Sequence, residues 1–132
     1  KEMFFNKEKK IDKAIESIIE WKNLSYKHCN KDYYAEKRDF VLWYFLGTAT
    51  RICQNENFND DTFMYTRKLL NNLDFNDAEI TEILAKAMAK KWTSEEFEFM
   101  FSGGENYEKW KYQDEMFSTT ILGYALSTLY DR

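Results

Sequence analysis

Apolar residues along this chain recur at helical spacing. Between residues 7 and 24, Ile11, Ile15, Ile18 and Ile19 fall on one helical face, and Lys9, Lys10, Asp12, Lys13, Glu16, Glu20 and Lys22 fill the remainder. This pattern predicts an amphipathic surface helix, with Phe4 and Phe5 folding back to anchor it and residues 25–31 forming a connection. The stretch at residues 32–53 is apolar on all sides around Phe40, Val41, Leu42, Trp43, Tyr44, Phe45 and Leu46. It is too long for an ordinary strand, and a helix with no polar face belongs in the middle of a bundle. The asparagine-rich residues 54–59 read as a loop. Asp60 or Asp61 then offers an N-cap for a helix carrying Phe63, Met64, Leu69, Leu70 and Leu73.

The clearest local signals are two capping boxes, in which a capping side chain and the residue three places on satisfy each other's backbone amides. Asn76 with Glu79 opens a helix running to about Lys91, and Phe75 is placed to staple onto Ile80. Thr93 with Glu96 opens another, with Trp92 placed to staple onto Phe97. Glu96-Phe97-Glu98-Phe99 also alternates like a strand, but the chain offers no second strand to pair with it, so a short helix at 94–101 is expected. Ser102-Gly103-Gly104 is expected to end that helix. Residues 106–130 predict one long helix, bent near Asp114.

Together these elements predict an all-α, single-domain bundle of about five to six helices across residues 1–132, with two apolar central helices at 32–53 and 106–130. Composition agrees. There is no proline and only four glycines, so the frequent turns of a sandwich or barrel cannot be supplied. An apolar share of 44% excludes a disordered chain, and no apolar run is long enough to span a membrane. Gly47 and Gly123 each lie inside an apolar segment, and the two central helices are expected to touch there.

Candidate chemistry is sparse. His28 is the sole histidine and adjoins Cys29, and no spacing typical of metal ligands occurs, so neither metal nor cofactor is expected. A helix over 32–52 would hold Cys29 and Cys53 roughly 30 Å apart, so the two are expected to be unpaired and the compartment cytoplasmic. No nucleophile motif, phosphate-binding loop or dinucleotide fingerprint is present, and no enzymatic activity is expected. Adjacent carboxylates such as Asp60-Asp61 and Glu95-Glu96 face different ways on a helix. Residues 1–38 carry ten Lys/Arg against seven Asp/Glu, intermixed as on a solvated helix, so nucleic-acid binding is not expected.

The other end of the chain is different. Residues 93–132 hold eight acidic and three basic groups, interleaved with Phe97, Phe99, Phe101, Tyr107, Trp110 and Tyr112. Rings surrounded by carboxylates suit docking to a basic protein, with the rings as anchors and the charges steering approach. The residues expected to carry it are Glu95, Glu96, Glu98, Glu105, Tyr107 and Glu108. The leading expectation is an immunity- or antitoxin-type inhibitor that occludes a basic partner such as a nuclease toxin, whose active surface is cationic because it binds phosphates. A second is an adaptor or structural subunit of a larger phage or defence assembly. A third is an enzyme or small-molecule binder with its site among Trp43, Tyr44 and Tyr124.

Overall fold

The computed structural model describes residues 2–58 and 61–130, with side chains from Asn6 onward. Phe4 and Phe5 continue the first helix, and their expected anchoring role lies outside the described side chains. Seven α-helices occur among the described residues, and no strand: α1 (Glu2–Lys27), α2 (Lys31–Glu36), α3 (Arg38–Asn55), α4 (Thr62–Asn71), α5 (Asp77–Met88), α6 (Ser94–Gln113) and α7 (Ile121–Tyr130), with a 3-10 turn at Met116–Thr120 before the last. The all-α bundle expected from the hydrophobic pattern is the fold.

α3 is the central rod, and every residue from Val41 to Ala49 is buried. Its partner is α6, whose backbone it approaches very closely. A methyl group at Gly47 would sit 1.7 Å from the Met100 carbonyl oxygen, and one at Gly103 would sit 1.8 Å from that of Tyr44. Only residues lacking Cβ permit this approach. The Thr48 hydroxyl bridges the seam, donating to the Gly103 carbonyl at 3.0 Å and accepting from Trp21 Nε1 at 3.2 Å. α1 covers one side of this pair with Ile11, Ala14, Ile18 and Trp21. Trp21 stacks on Trp110 at 5.5 Å and meets Tyr107 edge-on at 5.9 Å. On the other side, Leu69, Leu70, Leu73, Phe75, Ile80, Ile83 and Leu84 of α4, α5 and their connection fill the core.

Four boundary expectations are corrected. Gly103-Gly104 does not stop a helix, because the pair faces α3 in the middle of α6. The helix expected at 94–101 therefore runs on to Gln113. The rod expected at 106–130 is two helices, separated by a left-handed Asp114 (φ 55°) and the 3-10 turn. The rod expected from residue 32 is interrupted at Lys37, where α2 gives way to α3. Gly47 and Gly123 do not meet: Gly47 packs on α6, whereas a methyl at Gly123 would lie 2.4 Å from the His28 carbonyl oxygen. α7 thus seats its glycine on the turn that follows α1. Both cysteines are free, Cys29 half-buried and Cys53 buried.

Candidate partner-binding face on α6

α6 begins where the local code places it. The Thr93 side chain accepts from the Glu96 amide at 3.1 Å, and the Glu96 carboxylate accepts from the Thr93 amide at 2.8 Å. Trp92 packs on Phe97 with ring centroids 5.6 Å apart, the expected staple. Because α6 continues unbroken past its glycines, residues 97, 101, 105, 108 and 112 stay in phase at steps of four, four, three and four. Phe97, Phe101, Glu105, Glu108 and Tyr112 therefore share the face turned away from the core. Glu98 is exposed beside them. Phe97 and Phe101 stack at 6.5 Å, and Phe101 and Tyr112 are 53% and 58% exposed.

Arg51 of α3 organises the middle of this face. Its guanidinium pairs with Glu105 at 3.1 Å and also with Glu108, and lies 6.0 Å from the Phe101 ring centroid. Burial works against the charge on Arg51, but hydrogen bonds to Glu108 and Glu105 outweigh it and raise its pKa. Asn55 Nδ2 donates to the second oxygen of Glu108 at 3.1 Å. Partial burial, followed by the negative charge of Glu56, raises the pKa of Tyr112. The result is an aromatic ridge edged by carboxylates that α3 holds in place.

The six residues singled out in the sequence do not all belong to it. Glu98, Glu105 and Glu108 share the ridge. Glu96 is occupied structurally: besides closing its capping box, it accepts a hydrogen bond from Trp43 Nε1 at 3.1 Å. Glu95 lies in the first turn of α6, half-buried and engaged within the protein. Tyr107 is not an exposed anchor. It is 2% exposed, its hydroxyl sits 2.8 Å from Ser17 Oγ, and burial pushes its pKa up to about 12. Tyr112, five residues on, occupies the place that Tyr107 was expected to fill. The helical phase carries that information, once α6 is counted from Thr93 rather than restarted after the glycines.

Other candidates separate in space. Trp43 and Tyr44 are buried in α3, whereas Tyr124 is 74% exposed on α7, so the three do not form one site. Asp61 caps α4 by accepting from the Met64 amide at 2.9 Å, and Asp60 lies outside the described residues. Among the described residues, no group of three or more His, Cys, Asp or Glu side chains is arranged to hold a metal ion, and no helix is long and apolar enough to cross a membrane. Compared with protein-family models, with curated proteins and with solved structures, the chain matches none.

Proposed function

We propose that this chain is a non-catalytic protein-binding domain, an inhibitor of the immunity or antitoxin type, that covers a basic surface of its partner with the outer face of α6. The observation that carries this is the alignment of exposed Phe97, Phe101 and Tyr112 with Glu98, Glu105 and Glu108 on a single helical face. Exposed rings desolvate well at the centre of an interface, and carboxylates at its edge accelerate encounter with a cationic surface. A nuclease whose active site binds phosphate is a partner of that chemistry. The free Cys29 and Cys53 are in keeping with the reducing cytoplasm.

The test is capture of the partner from the native host by the wild-type chain and by two variants, Glu98→Lys and Phe101→Ser, each checked for intact helicity. A basic protein should be retained by the wild type, with the variants weakening binding by about tenfold or more, and high salt should slow association. Equal retention by all three baits, or capture of an acidic partner, would overturn the proposal. The adaptor alternative draws on a different observation. Phe117 and Tyr124 are 77% and 74% exposed beside a shallow depression lined by His28, Tyr33 and Gly123. Loss of partner capture on Phe117→Ser together with Tyr124→Ser, but not on Phe101→Ser, would favour it.

A further inference from the structure

The charges of α1 are intermixed in sequence order, but the helix sorts them. Asn6, Lys9, Lys10 and Lys13 recur at i, i+3, i+4 and i+7 and share one face, whereas exposed Glu8, Asp12 and Glu16 recur every fourth residue and form the neighbouring row. Together with Lys7, the basic face makes one wall of a groove of about 630 Å³. The other wall is the turn leaving α3, formed by Glu56, Asn57 and Phe58. That turn is well anchored. The Asn57 amide donates to the Gln54 carbonyl at 3.3 Å, and the Phe58 amide donates to that of Cys53 at 2.9 Å. The Phe58 ring is buried against Tyr65, with centroids 4.7 Å apart, and leaves the Asn57 side chain exposed beside the groove.

Four lysines and one carboxylate, that of Glu56, therefore line this concavity. Lys10 and Lys13 are exposed, and neither forms an ion pair among the described residues. Lys7 and Lys9 are engaged within the protein and add to the positive field. Asp61, farther along the same connection, is occupied in capping α4. Clustered ammonium groups in a concave site raise the local concentration of anions, and each acts on phosphate as a point charge.

We infer that this groove binds a small ligand carrying two or three adjacent phosphate groups, with Lys10 and Lys13 as its direct contacts and the Asn6 and Asn57 side-chain amides as further donors. Charge and length select the ligand. Glu56 offsets one ammonium group, and a single phosphate brings at most about two negative charges, so one phosphate alone leaves positive charge uncompensated. A long polyanion fits poorly, because the basic face from Asn6 to Lys13 is only about 10 Å long and exposed Glu16 and Glu20 follow on the next turns. The groove shares no residue with the α6 ridge, so the two proposals stand or fall separately.

The experiment titrates the full chain, labelled with nitrogen-15, with inorganic tripolyphosphate, pyrophosphate and orthophosphate at matched ionic strength. Tripolyphosphate should bind about tenfold or more tightly than orthophosphate, and should shift the amide signals of Lys10, Lys13 and Asn57 together. Lys10→Glu combined with Lys13→Glu should weaken it by about tenfold or more, through loss of charge-assisted hydrogen bonds, and Glu56→Gln should tighten it. If charge reversal lowers helicity, Lys10→Gln with Lys13→Gln supplies the comparison. Lys90→Glu with Lys91→Glu alters two exposed lysines next to α5 and should leave the affinity within about twofold. ATP binding more tightly than tripolyphosphate assigns the phosphates to a nucleotide, and ATP binding no better assigns them to a free oligophosphate; both uphold the site. Equal affinity for all three inorganic anions, equal weakening by the two lysine pairs, or preferential binding of a short DNA duplex overturns the inference.

Discussion

Replacing Gly47 with alanine adds one methyl group where the main chains of α3 and α6 touch. That carbon would begin 1.7 Å from the Met100 carbonyl oxygen, 2.6 Å from its carbonyl carbon and 3.0 Å from its Cα. The obstacle is backbone, so no side-chain rotation relieves it. α3 and α6 must move apart by roughly 1.5 Å to restore an ordinary carbon–oxygen contact near 3.3 Å. Two effects compete. Alanine favours a helix interior over glycine by up to about 1 kcal/mol. Against it, overpacking costs about 1–3 kcal/mol, and separating the helices stretches the Thr48–Gly103 bond, whose loss leaves buried polar groups unpaired at about 1–3 kcal/mol more. The clash wins, with a net loss of about 2–4 kcal/mol. For a domain of this size that lowers Tm by on the order of 10 °C. Urea unfolding followed by tryptophan fluorescence measures it, with Gly104→Ala as the control. At Gly104 the added methyl would meet the Gly47 carbonyl at 3.1 Å and the Arg51 side chain at 3.3 Å, distances that small shifts can accommodate. Gly104→Ala should therefore lie within about 1 kcal/mol of wild type. A Gly47→Ala protein as stable as the control, or more stable, would refute the close backbone contact.

Glu96→Ala should destabilise by about 1–2 kcal/mol, because it removes half of a capping box and the acceptor for Trp43 Nε1; Glu98→Lys, at an exposed position, should change stability by less than about 0.5 kcal/mol. Denaturant midpoints distinguish the two, and a reversed order would mean that Glu98 is structural. Glu79 is held below the ordinary carboxylate range, chiefly by its hydrogen bonds from Arg38, at 2.6 and 3.0 Å. A depressed folded-state pKa supplies stability that is present above the unfolded value of about 4.3 and is lost as pH falls through the folded one. Midpoints measured from neutral pH into that acid range should fall for the wild type and fall less for Arg38→Gln; parallel curves would remove Glu79 from the acid response. Burial raises the pKa of both thiols, Cys53 lying in the core and Cys29 half-exposed. Thiol labelling of the native protein should accordingly modify Cys29 slowly and Cys53 hardly at all, with both reacting in denaturant.

What the sequence made legible is the part encoded locally. Asn76 with Glu79 and Thr93 with Glu96 announce helix starts because the cap and its partner lie within one turn, and both boxes form as expected. The apolar run at residues 41–49 announced the central rod because no solvent-facing stripe interrupts it. Glycine was ambiguous. A glycine pair at 103–104 ends a helix when nothing packs on it and continues one when a neighbouring backbone does, and the neighbours, Tyr44 against Gly103 and Gly47 against Gly104, lie 59 and 57 residues earlier. α6 instead ends at Asp114, whose left-handed backbone needs no glycine signal, since aspartate tolerates that conformation better than most residues. The site followed the same logic. A helix restarted after the glycines loses the phase of its second half, and for that reason spacing alone points to Tyr107 where the structure exposes Tyr112. The involvement of Arg51, on another helix, was not inferable from spacing at all.

The seam between α3 and α6 has an outcome for heredity as well as for stability. Where main chains touch, no neighbouring rotamer can absorb an added carbon, so a substitution at Gly47 or Gly103 must move α6 as a rigid rod and carry Phe101, Glu105 and Glu108 with it. Drift at these two positions would reshape the outward face without altering a single residue on it, which ties the history of the interior to that of the exterior.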